Sequence, residues 1–199
     1  VGPSLDLYIS TLFYLGDSQF LVNTHYYISI FFREVLLPFL LIYILVLPVV
    51  GRFINIDKIF FTYKFSIKEI FLLWGSQVMI VLIFVNLFLK NFWGRARPND
   101  VLELGGNEIF SPWYEISNAC LTNCSFVSGD ASVGFSIIIL YLITKKMIFL
   151  YASFFAGFAL GLIRIMAGGH FLSDIFFAGF FIVILNIILF ALYKKYYAK

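Results

Sequence analysis

Charged side chains are scarce in this chain. Asp, Glu, Lys and Arg make up 13% of its 199 residues, whereas 62% are hydrophobic and the mean hydropathy is +0.96. That shortage excludes a soluble domain, whose surface usually takes about twice as much charge. Cysteine is confined to Cys120 and Cys124, and with only two thiols and His170 committed to the polar cluster in which it stands, the chain is poorly supplied for a Cys/His metal site. No metal or other cofactor is therefore expected. A disulfide between the two cysteines is allowed in an oxidising compartment but not demanded. The amino terminus lacks the basic start, short apolar run and small-residue cleavage site of a signal peptide. No low-complexity linker or internal repeat divides the chain. The net charge of +3 says little beside its distribution, and no nucleic-acid partner is expected.

What the chain does have is long apolar runs. Residues 35–50 form one, extendable back through 28–32, and residues 70–89 form a second. Residues 131–143 are short for a span of about 20 residues, though they lengthen if the helix opens at Ser128. Residues 147–163 and 171–192 complete a set of five. The expected fold is all-α: one membrane-embedded bundle over residues 1–199, with 26 Phe and 12 Tyr available for the lipid boundary. Residues 1–32 mix aromatic and polar groups and read as an interfacial segment. With Val1 in place of Met, that look leads to the expectation of a sixth span ahead of this sequence.

Alternating spans place Arg52, Lys58, Lys64, Lys68, Lys145, Lys146, Lys194, Lys195 and Lys199 on one side, which the positive-inside rule makes cytoplasmic. Arg33, Lys90, Arg95, Arg97 and Arg164 fall on the other. Three polar clusters end apolar runs on that second side: Lys90 to Pro98, Ser128-Gly129-Asp130, and Arg164 to Asp174. Ionisable groups near spans are costly and point to function.

Each cluster suits phosphate chemistry. In Lys-Asn-Phe-Trp-Gly-Arg-Ala-Arg-Pro, Gly94 and Pro98 break the helix so that Lys90 and Arg97 can turn inward. Arginine offers a planar fork to phosphate oxygens and lysine a compact charge. Taken alone, these cations equally resemble side chains snorkelling at an interface. Ser128 is a favoured N-cap, and Gly129 lets a helix N-terminus approach an anion; by itself the trio also reads as a plain helix start with an acidic first turn. In the third cluster, a helix beginning near His170 would put Asp174 one turn along, able to accept from one ring nitrogen and leave the other free as a nucleophile.

In order and spacing, these clusters resemble the signature of the type 2 phosphatidic acid phosphatase superfamily: Lys-x6-Arg-Pro, then Pro-Ser-Gly-His, then Ser-Arg-x5-His-x3-Asp. The resemblance covers residues 90–174. It implies that His170 is a nucleophile forming a phosphohistidine and that Asp174 orients it. Lys90, Arg97, Arg164 and the N–H groups around Ser128 and Gly129 would bind the phosphoryl group without a metal. Val127 and Ile163 depart from the pattern, and Asp130 stands where the family has a second histidine that protonates the leaving group. The implied reaction is hydrolysis of a lipid phosphomonoester or pyrophosphate at the periplasmic face of a bacterial inner membrane. Lipid A leads the candidate substrates, followed by undecaprenyl pyrophosphate, phosphatidylglycerol phosphate and phosphatidic acid. Alternatives are a lipid phosphotransferase, a transporter, or a lipid-phosphate-binding relic. A transporter would carry its ionisable groups in mid-span, and here they sit at span ends.

Overall fold

The computed structural model describes residues 2–24, 26–53 and 63–197. Val1, Lys58 and Lys199, which enter the sequence arguments above, lie outside the described residues.

Among the described residues, four helices are long and apolar enough to cross a membrane. They are Tyr27–Phe53, a second within Ile67–Asp100, Met147–Met166 and Leu172–Tyr197. The second starts at a capping box, in which Ser66 Oγ accepts from the Glu69 N–H and Glu69 Oε2 accepts from the Ser66 N–H. It runs as Ile67–Ser76, continues as a π-wound stretch over Gln77–Leu89, and ends with Lys90–Trp93. Gly94, with a φ of 59°, stops it in the left-handed conformation; a Cβ there would strike the Ser117 carbonyl.

The third apolar run is different in kind. Its helix, Gly129–Thr144, is shorter than the four spans and is interrupted between Phe135 and Ile138. Serines pair with carbonyls at the break: Ser153 Oγ donates to the Phe135 carbonyl at 2.6 Å, and Ser136 Oγ lies 2.7 Å from that of Val133. Nearly every residue of this element is buried, packed chiefly against Met147–Met166 and Leu172–Tyr197. Its apolar character thus serves protein contacts, whereas the long helices turn Phe39, Met79, Phe155 and Phe180 outward, as lipid-facing spans do. The five apolar runs are therefore four long helices around a shorter central one.

The two ends of the bundle differ in charge. At one end Lys68 Nζ lies 3.4 Å from the Tyr197 carbonyl, and Lys145 and Lys194 lie over the Phe190 ring. The opposite end carries the polar clusters. Residues expected to be merely interfacial form a helix, Pro3–Thr11, and a small hairpin of Tyr14–Gly16 with Gln19–Phe20. Phe20 packs with Ala96, Val101, Leu104 and Phe171 over the polar end, and Asp6 and Ser10 are wholly buried.

Candidate active site

Arg95 anchors the site from below. It is 0% exposed, an environment in which a guanidinium persists only if paired. Nη1 donates to Asp174 Oδ1 at 2.6 Å and to Ser173 Oγ at 2.8 Å; Nη2 donates to Asp6 Oδ2 at 2.9 Å, and Nε to the Ser111 carbonyl at 2.9 Å. Its face lies over the Phe171 ring, 4.3 Å from the centroid. Asp6 also accepts from the Ser173 N–H at 2.8 Å. Neither the amino-terminal carboxylate nor this use of Arg95 was foreseen from the sequence. The available signal was one acid in the polar-aromatic start of the chain, with a serine four residues on.

Asp174 is equally committed. Besides Arg95, it accepts from Ser125 Oγ at 2.5 Å and from the Phe171 N–H at 2.8 Å. The last contact explains a difference from the expected geometry. The helix opens at Leu172, two residues later than the pairing required, and Asp174 caps its own helix start. The acceptor for His170 is instead the Ser125 carbonyl, 2.6 Å from Nδ1, while Asp174 Oδ2 stands 3.7 Å from that nitrogen as a neighbouring charge. The consequence for the ring is the one expected. With Nδ1–H donated to Ser125, the tautomer is set and Nε2 carries the lone pair. Burial, with His170 only 2% exposed, lowers its pKa to about 4; Arg164 and Lys90 push the same way and Asp174 opposes them. His170 is thus neutral at neutral pH.

Lys90 and Arg97 do turn inward, and one residue gathers both. Lys90 Nζ donates to Asn123 Oδ1 at 3.2 Å, and Arg97 Nη2 donates to the Asn123 carbonyl at 2.6 Å. Asn123 lies within the small loop closed by the Cys120–Cys124 disulfide. Arg164, near the end of Met147–Met166, lies against Gly169, where any Cβ would collide with the guanidinium. Ser128 is the N-cap of Gly129–Phe135, accepting from the Ala131 N–H at 3.4 Å. Its own N–H is directed to the Asp174 carbonyl at 3.3 Å, so the free N–H groups of that helix start come after Ser128.

Asp130 stands at the position of the family's leaving-group acid, and its neighbours in the structure are cations. Its Oδ2 faces Arg164 Nε at 3.5 Å and Arg33 Nε at 3.7 Å, both obligate donors. Among the described residues, neither Asp130 Oδ2 nor Arg164 Nε has a hydrogen-bond partner, although both atoms are buried. Arg33, from the first span, brings a fourth cation to Lys90, Arg97 and Arg164. The arrangement can hold a multiply charged anion beside a neutral, oriented imidazole.

Comparison with known proteins agrees with this chemistry. The family model of the PAP2 superfamily matches residues 71–198. A protein of Francisella tularensis subsp. novicida (strain U112) named lipid A 4'-phosphatase is 35% identical over 209 residues, covering 98% of this chain and 89% of that protein. Proteins of the same name from Rhizobium leguminosarum and Rhizobium etli (strain ATCC 51251 / DSM 11541 / JCM 21823 / NBRC 15573 / CFN 42) are 33% and 27% identical. They cover 51% and 87% of this chain, and the matches span 45% and 73% of those proteins. No solved structure matches.

Proposed function

The chain belongs to the PAP2 superfamily and is a membrane phosphatase, and we propose that it removes the 4'-phosphate of lipid A. The lipid rests on the names of its relatives. The residue roles rest on one observation: a buried, neutral His170 with Nδ1 fixed by Ser125 stands beside clustered cations.

In this reading, Nε2 of His170 attacks the phosphorus and a P–N bond forms as the P–O bond to the sugar breaks. Lys90, Arg97 and Arg164, with the N–H groups after Ser128 and Gly129, hold the phosphoryl oxygens and offset their charge in a water-poor site. The departing alkoxide takes its proton from water. A second water then attacks phosphorus, giving its proton to the hydroxide left by the first; the P–N bond breaks, inorganic phosphate leaves and His170 returns neutral. Asp174 holds Arg95 and Ser125 in place and places a negative charge beside the imidazole as it transfers the phosphoryl group. The polar end of the bundle faces the periplasm, opposite the lysine-rich end.

The test is phosphate release by the purified protein from lipid A, undecaprenyl pyrophosphate, phosphatidylglycerol phosphate and phosphatidic acid, each with and without chelator. Lipid A should be the preferred substrate and chelator should change nothing. Release only from another lipid would reassign the substrate, and loss with chelator would remove the metal-free mechanism.

A further inference from the structure

Arg33 belongs to the first span, outside the residues that the family model matches, yet its side chain reaches the site. Asp130 lies between it and Arg164 and divides one oxygen, Oδ2, between two guanidiniums. The two contacts are unequal in surroundings. The Arg164 side chain is 10% exposed and that of Arg33 is 54% exposed, with Asp130 at 24% between them.

A buried N–H and a buried carboxylate oxygen that face each other at 3.5 Å without a hydrogen bond form a poorly satisfied pair. Arg164 Nε is therefore a donor awaiting a better acceptor. A phosphate oxygen, with more charge and freedom to move to hydrogen-bond distance, is such an acceptor. For it to enter, Asp130 has to leave Arg164, and a carboxylate does not leave one cation in a partly buried site without another to receive it. Arg33 is placed to receive it.

We propose that Asp130 is an internal stand-in for the substrate phosphate on Arg164, and that Arg33 is the positioning residue that holds Asp130 aside when phosphate binds. This deepens the reading of the site as a phosphate site and rests on it. In the resting protein Asp130 offsets the excess positive charge of the cluster. In the loaded protein Arg164 turns to phosphate, and Arg33 with Asp130 forms a closed pair at the rim. No bond is made or broken in the exchange. The role accounts for a carboxylate at a position where a histidine would serve acid catalysis, and for a cation from a span that the family pattern does not include.

The test is orthovanadate binding, measured by calorimetry on the detergent-purified full chain and repeated in Arg33→Ala, Arg33→Lys, Asp130→Asn and the double variant Arg33→Ala/Asp130→Asn. Arg33→Ala should weaken binding about tenfold, the scale of one charged hydrogen bond, because Asp130 stays on Arg164. Arg33→Lys should recover most of that loss. Asp130→Asn should tighten binding, since the competitor is gone. Adding Arg33→Ala to Asp130→Asn should then change binding less than about twofold, because the two residues act as a unit. An equal loss from Arg33→Ala in both backgrounds would make Arg33 a direct phosphate ligand and overturn the proposal. So would weaker binding in Asp130→Asn, or no effect of Arg33→Ala. Failure of the unaltered protein to bind orthovanadate would overturn the phosphate-site reading itself, and this role with it.

Discussion

At the residue scale, His170 and Asp174 depend on different neighbours and should fail differently. His170→Gln should abolish phosphate release while the thermal unfolding transition moves little, because Nδ1 makes a single bond to a backbone carbonyl. Wild-type release by His170→Gln would remove the phosphohistidine. Asp174→Asn removes one of two carboxylates from a completely buried Arg95 and should cost about 3–5 kcal/mol of stability as well as activity. The pH dependence follows from burial of the imidazole. An ordinary histidine takes up its proton near 6.5, and His170 does so near 4, so lowering the pH removes the Nε2 lone pair only in that lower range. A profile of kcat/KM against pH, which reports groups in the free enzyme, should show its acid limb near 4. A limb at 6.5 or above that does not move when the substrate phosphate's own ionisation is changed would mean that the attacking group is not this buried histidine.

At the scale of elements, the shorter central helix crosses Met147–Met166 through small residues. A Cβ on Gly134 would run into the backbone of Ala156 and Gly157, which, unlike a side chain, cannot step aside. Glycine at such crossings lets helices approach closely where lipid supplies no hydrophobic drive. Gly134→Ala should cost about 1–3 kcal/mol or more, read as a lower denaturation midpoint in detergent. Gly75 supplies the contrast. A Cβ there meets nothing, so Gly75→Ala should be neutral or stabilise its helix by about 0.5–1 kcal/mol. The amino-terminal helix is a structural part of the site by the same logic, since Asp6 is one of the two carboxylates on Arg95. Asp6→Asn should lower stability more than it lowers turnover per folded molecule, because Asp6 touches Arg95 and Ser173 and not His170.

At the scale of the whole molecule, one end of the bundle is rich in lysine and the other holds the buried ionic network. Orientation can be read by labelling. A cysteine in place of Ile116, exposed at the active end, should react with a membrane-impermeant maleimide in cells whose outer membrane alone is opened. A cysteine in place of Tyr196, at the lysine-rich end, should react only after the inner membrane is broken. The reverse pattern would place the site in the cytoplasm.

Class, the four long spans and cluster membership were legible from residues alone, because hydropathy and motif spacing are local properties of the chain; that the third run is a shorter buried helix was not. Lys90, Arg97, Ser128, Arg164 and His170 could each be picked out by a neighbour within a few positions. Arg95 could not be told from a snorkelling cation, since its partner Asp6 lies 89 residues away and only burial makes the pairing obligatory. The orienting bond to His170 comes from a carbonyl 45 residues earlier, a group that every residue carries and no sequence pattern marks. Arg33 and Asp130 meet only because the first span leans on the start of the central helix. Local chemistry thus determined which groups are present. Tertiary packing decided which of them are paired, which are buried, and which are left open to an anion, because charge pairing in a low-dielectric interior depends on distances that only the fold sets.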